Sequence, residues 1–355
     1  GGPLFISANR QGLHPLVGNY LAACAAAGLA PTADFNGAHQ EGAGVYQMTI
    51  KGGRRNSAAR AFLRPAMKRA NLRVMTGAQA TRVLFEGRRA TGVEFRHGGS
   101  LETLRAREII LAGGAINSPQ LLQLSGIGPR AHLQSLGLEV RHDNAHVGAN
   151  LSDHQGLNYT YRMNVPTYND VLRPWWGKLL AGAQYLLTGQ GVLSKSINHA
   201  GGFFRTAPDL PRPNMQLYMQ AFSTLVPKVG ERPLLTPDPF SGLSIGLSNC
   251  RPTSRGSVRL RSADPFAPPC RKIAAQGPMA KVIAEELRPG PAVASDADLI
   301  ADFRDRSGTV YHQSCTCRMG DVVDNKLRVI GVEGLRVCDA STFPNLIAGN
   351  TNAPS

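Results

Sequence analysis

The feature that most constrains the fold is an apolar run followed by two glycines and a helix start, within residues 108–124. Residues 108–112 are mostly apolar, which is typical of a strand buried in a parallel sheet. Gly113 and Gly114 end this strand. Asn117, Ser118 and Pro119 then supply a cap and a first-turn proline for a helix over residues 120–124. This order predicts a partial Rossmann-like domain, in which phosphates and ribose bind at the carboxyl end of a strand.

The rest of the chain predicts a mixed α/β (α+β) protein with a second domain. Residues 81–85, 90–95 and 101–104 have the pattern of a three-stranded meander, and residues 335–338 form a short strand that runs into Asp339. At roughly 150 residues per domain, a chain of 355 residues has about two domains. The middle of the chain, residues 159–300, is richer in proline and aromatic residues. We predict that it is a substrate domain built on an antiparallel sheet.

The net charge of +15 raises the alternative of a basic nucleic-acid-binding protein. The basic residues are scattered, as in Arg54-Arg55 and Arg88-Arg89, with no run of five or six. A nucleic-acid footprint clusters on one face or in one segment. We therefore predict no nucleic-acid partner, and a salt-dependent DNA-binding assay would distinguish this alternative.

Composition also bears on the compartment and on membranes. Residues 16–30, the longest apolar-leaning stretch, are too short and too interrupted to span a bilayer. Six sparse cysteines favour a reducing, cytoplasmic compartment. Peripheral attachment to a membrane stays open. Residues 175–187, which begin with Trp175 and Trp176, are apolar on one face but weakly amphipathic, and we predict a packed lid helix there rather than a membrane anchor.

Residues 114–128 resemble the second signature of the glucose–methanol–choline (GMC) flavoprotein oxidoreductases. Further landmarks of that family occur in the family's order at Asn36-Gly37 and at residues 52–57, 147–154, 311–320 and 339–354. The resemblance therefore covers almost the entire chain. The resemblance implies an FAD-dependent enzyme similar to choline and alcohol dehydrogenases. Such an enzyme oxidises an alcohol to an aldehyde or ketone by hydride transfer to flavin N5. Its electron acceptor, oxygen or a quinone, stays open.

His312 is the candidate catalytic base. Histidine has the side-chain pKa nearest neutrality, so it can accept a proton from an alcohol. A lone histidine is more often structural, but the sequence that follows, from Thr316 to Gly320, matches the motif of the family's active-site histidine. Gln313 and Cys315 depart from the family's usual proline and glycine. A cysteine at a tight-turn glycine position is expected to be strained.

Asn352 is the second candidate catalytic residue. It matches the family position that carries a histidine or an asparagine, and its amide can hydrogen-bond the substrate oxygen. A loop-capping role for Asn352 is equally consistent with the sequence. The landmark Asp153-His154 is interpreted as structural support.

The resemblance also implies cofactor contacts and functional segments. Gly113 and Gly114 match contacts around the ribose, and the backbone of Ala80 matches an adenine contact. The other implied FAD contacts are Asp339, Ala340 and the backbone of Asn352 and Ala353. Residues 1–57 are then a truncated segment on the substrate side, and residues 58–158 and 301–355 are the FAD-binding and catalytic parts.

Three alternatives accompany this interpretation. His312, Cys315 and Cys317 fall short of the four ligands of a closed zinc site, so no metal is predicted. Residues 126–131 match a loose dinucleotide fingerprint, but they follow a helix and are predicted to be a helix C-cap and turn. No G-x-G-x-x-G loop precedes Gly1, so we expect a fragment that binds FAD weakly or not at all by itself. A catalytically inactive remnant is the corresponding alternative.

Overall fold

The computed structural model describes residues 2–8, 11–224, 236–265, 270–272 and 308–351, which belong to two compact units. The first unit contains Gly1–Val74, Gln155–Cys250 and Gly277–Gly308. The second unit contains Met75–His154, Arg251–Gln276 and Thr309–Ser355. Both units combine segments that are far apart in the sequence. The functional roles predicted for residues 1–57, 58–158, 159–300 and 301–355 stay predictions.

The described residues form short helices and strands. The α-helices are α1 (Leu16–Ala26), α2 (Arg64–Ala66), α3 (Gly114–Leu124), α4 (Arg130–Ser135), α5 (Tyr168–Leu172) and α6 (Trp175–Thr188). The strands are β1 (Gly42–Val45), β2 (Ile50–Lys51), β3 (Arg54–Arg55), β4 (Gln79–Glu86), β5 (Arg89–His97), β6 (Ser100–Arg105), β7 (Ile109–Leu111), β8 (Ile127–Gly128), β9 (His142–Asp143), β10 (Gln155–Arg162), β11 (Asn198–Phe204), β12 (Met215–Gln220), β13 (Gly242–Asn249), β14 (Ser257–Arg259), β15 (Cys270–Lys272), β16 (Gly308–Thr309) and β17 (Leu335–Val337). A π-helix covers Ala59–Leu63, and 3₁₀ helices cover Val192–Ser194 and Ala340–Thr342.

An antiparallel sheet organises the first unit. Its strands follow the order β1-β11-β12-β13-β10, and β16 continues the order at the boundary of the unit. Helix α1 contributes Leu16, Tyr20 and Cys24 to the same hydrophobic core as Met219 of β12, and this four-residue spacing is helical. The predicted antiparallel sheet in a mixed α/β protein is confirmed.

His199 is a buried histidine within this unit. The backbone N–H of His14 donates to Nδ1 of His199 at 3.5 Å, and the ring of Tyr168 lies edge-on, 5.5 Å away between centroids. Burial lowers the pKa of His199 to about 4, and the nearby charges of Lys195 and His14 add to this effect. His199 therefore stays neutral in the folded protein at neutral pH.

Mild acid is expected to destabilise the protein through His199. Its folded pKa of about 4 lies below the unfolded value of 6.5, so the unfolded state binds more protons between these values. The free energy of unfolding should then fall by up to about 1.4 kcal/mol per unit of decreasing pH. Chemical denaturation across this range measures the slope. His199→Gln should flatten it, and replacement of the exposed His39 by glutamine should not. Equal slopes in wild type and His199→Gln would contradict the assignment.

The second unit combines a parallel strand pair with an antiparallel meander. Strand β7 pairs in parallel with β17, with Ile109 opposite Leu335 and Leu111 opposite Val337. Strands β4, β5 and β6 form the meander. The two sheets share a hydrophobic core with α3, whose Leu122 is fully buried. The predicted meander, the parallel strand and the strand that runs into Asp339 are confirmed, but β7 is buried on one face only, because Ile110 is 57% exposed.

Several local predictions are wrong. Helix α3 begins at Gly114 rather than at residue 120, so Pro119 lies inside the helix and Ser118 is not its cap. Residues 72–75 and 327–330 have the apolar pattern that predicts short strands, but residues 72–75 are not a strand and residues 327–330 form only isolated bridges. A short apolar run becomes a strand only where a neighbouring backbone pairs with it, and its own pattern does not report that neighbour.

Two helices depart from regular, packed geometry. The sequence predicts a helix over residues 58–70 that Pro65 should kink or split. The structure has the π-helix Ala59–Leu63 and the short α2 there, with Pro65 near the junction. Helix α6 lies where it was predicted, but its large apolar side chains are exposed, so its description as a packed lid is wrong. No helix in the described part of the chain is long and apolar enough to cross a membrane.

Candidate active site

The loop that carries His312 is attached to the segment that follows β17. The backbone N–H of Cys315 donates to the carbonyl of Ala340 at 3.2 Å, and the N–H of Cys317 donates to the carbonyl of Ser341 at 2.8 Å. On the other side, Ser314 exchanges two backbone hydrogen bonds with Ser152, at 2.9 and 3.2 Å. The loop is therefore held from both sides at the carboxyl end of the parallel strand pair.

His312 is held by the two residues that follow Ser152. Its backbone N–H donates to Oδ1 of Asp153 at 2.9 Å. Its Nδ1 lies 2.9 Å from Nδ1 of His154, and the two rings are nearly perpendicular, at 86°. One Nδ1 must carry the proton and the other must accept it, because each neutral imidazole has one N–H. Because Nδ1 of His312 is engaged in this contact, Nε2 is the ring nitrogen that can take part in chemistry.

Burial controls the charge of this site. Desolvation lowers the pKa of His312, so its ring is neutral at neutral pH and can accept a proton. Burial raises the pKa of Asp153, and hydrogen bonds from the Thr309 hydroxyl and the His312 backbone oppose that shift. The Thr309 hydroxyl donates to Oδ2 of Asp153 and accepts a hydrogen bond from Nε2 of Gln313 at 3.0 Å. Gln313, one of the two departures from the family pattern, thus supports the network that holds His312.

Cys315, the other departure, has the backbone strain expected from its sequence position. Its φ is +71°, in the left-handed region that favours glycine, and its side chain is buried beside the Ser314 hydroxyl. Burial raises the pKa of the Cys315 and Cys317 thiols, which disfavours the thiolate form that metals bind. Among the described residues, no group of three or more histidine, cysteine, aspartate or glutamate side chains is arranged to hold a metal.

Asp339 joins the ends of the two parallel strands. Its Oδ2 accepts from the N–H of Gly114 at 2.9 Å and from the hydroxyl of Ser118 at 2.6 Å. Its Oδ1 accepts from the N–H of Ser341 at 2.8 Å. The Ser118 hydroxyl also accepts from the N–H of Gly113 at 2.9 Å, so Ser118 bridges the strand end and the carboxylate. These bonds bring three of the predicted cofactor residues together at one strand end.

This strand end fits a bound dinucleotide. Gly114 has φ +78°, and a Cβ atom there would meet nothing within 4 Å. Ala112 and Gly113 are exposed, so a ligand can approach the backbone closely. The Asp339 carboxylate accepts three hydrogen bonds and has about four lone-pair positions, which leaves one for a ribose hydroxyl.

The remaining predicted cofactor residues lie elsewhere. Ala80 is half-buried in β4, where it pairs with Phe95 beside a bulge, and its contact with adenine stays a prediction. The carbonyl of Ala340 already accepts from Cys315, as described above. Asn352 and Ala353 lie outside the described residues.

Comparison with known proteins decides the family. Two family models described as GMC oxidoreductase match residues 2–156 and residues 269–355. The chain belongs to the GMC oxidoreductase family. The family indicated by the motifs from Asn36-Gly37 to residues 339–354 is therefore confirmed. Membership of this family supports FAD as the cofactor and a CH–OH group as the site of oxidation.

Individual relatives agree with this assignment. An alcohol dehydrogenase (acceptor) of Pseudomonas putida is 38% identical, over 97% of this chain and 66% of its own length. An oxygen-dependent choline dehydrogenase of Rhizobium johnstonii is also 38% identical, over 100% of this chain and 68% of its own length. The chain thus spans about two thirds of the length of these GMC relatives.

Solved structures share the fold. A pyridoxine 4-oxidase from Mesorbium loti is 26% identical, with a TM-score of 0.83 over 100% of this chain and 70% of its own. A formate oxidase is 23% identical, with a TM-score of 0.85 over 99% of this chain and 70% of its own. These matches confirm the predicted fold class of a GMC flavoenzyme.

Proposed function

We propose that the protein containing this chain oxidises an alcohol to an aldehyde or ketone with FAD, using His312 as the base. The observation that carries the proposal is a half-buried, neutral imidazole held at Nδ1 by His154 and at its backbone by Asp153. Two of its GMC relatives carry the names alcohol dehydrogenase and choline dehydrogenase, which supports an alcohol as the substrate.

His312 would take the hydroxyl proton of the alcohol at Nε2. With its Nδ1–H donated to Nδ1 of His154, the lone pair of Nε2 is available to the substrate. When bound, FAD supplies the acceptor for the hydride that leaves the alcohol carbon. The imidazolium that forms keeps its hydrogen bond to His154, which holds the ring in one orientation while it carries the proton.

Other residues would hold the cofactor and the substrate. Gly113, Gly114 and Asp339 are proposed to contact the ribose, because they form the open strand end with one acceptor position left. Asn352, outside the described residues, is proposed to hydrogen-bond the substrate oxygen. Ala80, Ala340 and Ala353 stay proposed backbone contacts of FAD.

Anaerobic mixing of the FAD-loaded protein with choline or with a primary alcohol tests the proposed function. The visible absorbance of the oxidised flavin should be lost at a rate that depends on the alcohol concentration. A protein with stoichiometric FAD that no alcohol bleaches would support the inactive-remnant alternative instead.

His154 is expected to position His312 during the reaction. His154→Leu should lower kcat/KM for the alcohol by about tenfold to a hundredfold, because the ring of His312 loses its partner at Nδ1. His154→Asn is the matched conservative variant, since its amide reaches the place of Nδ1. It should retain most of the activity.

The pH profile separates this role from a merely structural one. Because burial lowers the pKa of His312, kcat/KM should rise with pH and reach half of its plateau below pH 6.5. Loss of the acceptor in His154→Leu should move that midpoint to still lower pH, since the charged ring is then less stabilised. Equal rates and midpoints in both His154 variants would rule out the positioning role.

A further inference from the structure

Helix α6 has its small residues inside and its large apolar residues outside. Gly177 and Ala181 are buried, and a Cβ atom on Gly177 would lie 2.1 Å from the carbonyl oxygen of Val171. At about 100° per residue, the large apolar residues fall within one arc of about 140° on the opposite side. This outer face of α6 consists of Trp175, Trp176, Leu179, Leu180, Leu186 and Leu187, which are between 54% and 85% exposed.

Such a face needs a covering surface. A helix of a globular protein normally turns its large apolar stripe toward the core, and contiguous exposed apolar patches mark interaction sites. Here close packing uses Gly177 and Ala181, so the packing of the described residues of this unit does not account for the outer face.

Basic residues border the outer face of α6, mainly at the C-terminal end of the helix. The β2–β3 hairpin lies against the C-cap of α6, because a Cβ atom on Gly53 would come within 2.0 Å of the carbonyl oxygen of Gly189. The hairpin exposes Lys51, Arg54 and Arg55, and Lys178 is exposed within α6 itself. Residues 42–85 and 171–208 contain no aspartate or glutamate. The outer face of α6 is therefore apolar with a mainly cationic border, in which Asp170, beside Trp176, is an exposed acidic residue.

We propose that the outer face of α6 inserts into the interfacial layer of a bilayer that contains anionic lipid. Tryptophan and leucine on one face suit the boundary between headgroups and acyl chains, and the cationic border suits acidic headgroups. A second copy of this chain, which also carries a net charge of +15, suits this cationic border less well than an anionic surface does. The proposal is independent of the alcohol oxidation proposed above.

Vesicle flotation tests the proposal, and the fluorescence of Trp175 and Trp176 reports whether the outer face of α6 inserts. The protein should bind vesicles of phosphatidylcholine mixed with phosphatidylglycerol, and should bind phosphatidylcholine alone much more weakly. Added salt should weaken the binding, because it screens exposed charges. The chain has two tryptophans, both on the outer face of α6, so binding should shift tryptophan emission to shorter wavelength.

Paired variants assign the binding to this face. Leu186→Ser with Leu187→Ser should weaken binding about tenfold or more, whereas Leu101→Ser with Leu104→Ser, on exposed positions of β6, should not. Arg54→Gln with Arg55→Gln should weaken binding about tenfold. Arg107→Gln with Lys326→Gln removes the same two charges from exposed positions of the second unit and should have little effect.

Four results would overturn the proposal. The first is no binding to the mixed vesicles, and the second is binding without a change in tryptophan emission. The third is an equal effect of the two variants in each pair. The fourth is a lipid-free dimer, seen by light scattering, that Leu186→Ser with Leu187→Ser abolishes. That dimer would identify a second copy as the occupant of the face.

Discussion

Replacement of His312 by alanine is expected to slow reduction of the flavin by an alcohol by about 10²–10⁴-fold. The variant removes the neutral imidazole that burial keeps ready to accept the hydroxyl proton. Anaerobic rapid mixing of the FAD-loaded protein with the alcohol measures the rate directly. The residual rate should also lose its dependence on pH below neutrality, because the titrating base is gone.

His146→Ala is a suitable control for this experiment. His146 is an exposed histidine of the same unit, so its loss should leave the rate unchanged. The FAD content and the unfolding midpoint of His312→Ala should match those of wild type, which separates a chemical effect from a folding defect. If turnover of His312→Ala survives within a few-fold, the base has been assigned to the wrong residue.

Replacement of Asp339 by alanine is expected to destabilise the second unit by about 2–4 kcal/mol. The carboxylate accepts from Gly114, Ser118 and Ser341, and the last two of these residues are almost fully buried. Without it, buried donors lose their acceptor, and each such group costs about 1–3 kcal/mol. Chemical denaturation of the wild type and the variant measures the difference.

Glu139 provides the matched control for a lost carboxylate. Its side chain is exposed and forms a surface ion pair with Arg141, so Glu139→Ala should change stability by less than about 1 kcal/mol. An Asp339→Ala variant as stable as Glu139→Ala would show that the strand ends hold together without the carboxylate. FAD affinity measured on Asp339→Asn, which keeps one acceptor oxygen, would report on the proposed ribose contact.

Local patterns were enough to predict the elements that depend on near neighbours in the chain. The meander of β4, β5 and β6 has turns of two residues, so the pattern and the pairing lie in the same stretch of sequence. The apolar run of β7 likewise predicts a strand whichever strand pairs with it, and Ile109 and Leu111 are buried although Ile110 is not. The strained backbone of Cys315 was expected because the family pattern has glycine there.

The contacts that hold the candidate site could not be predicted in the same way. His154 and His312 are 158 positions apart, and their hydrogen bond depends on how Ser152 pairs with Ser314. Asp153-His154 was recognised as a landmark, but a motif does not state which side chain it will touch. Thr309 and Gln313 carried no signal in the sequence that links them to Asp153.

The sequence by itself determined the GMC family, the mixed α/β class, the strand that ends at Gly113-Gly114 and the identity of the candidate base. Motif order and local periodicity are properties of the chain, so they can be read without coordinates. Only the tertiary structure decided that Ser118 and Asp339 join two strand ends and that α6 turns its large apolar residues outward. Hydrogen-bond partners and burial depend on which distant segments come to lie beside a residue, and that information is not local to any motif.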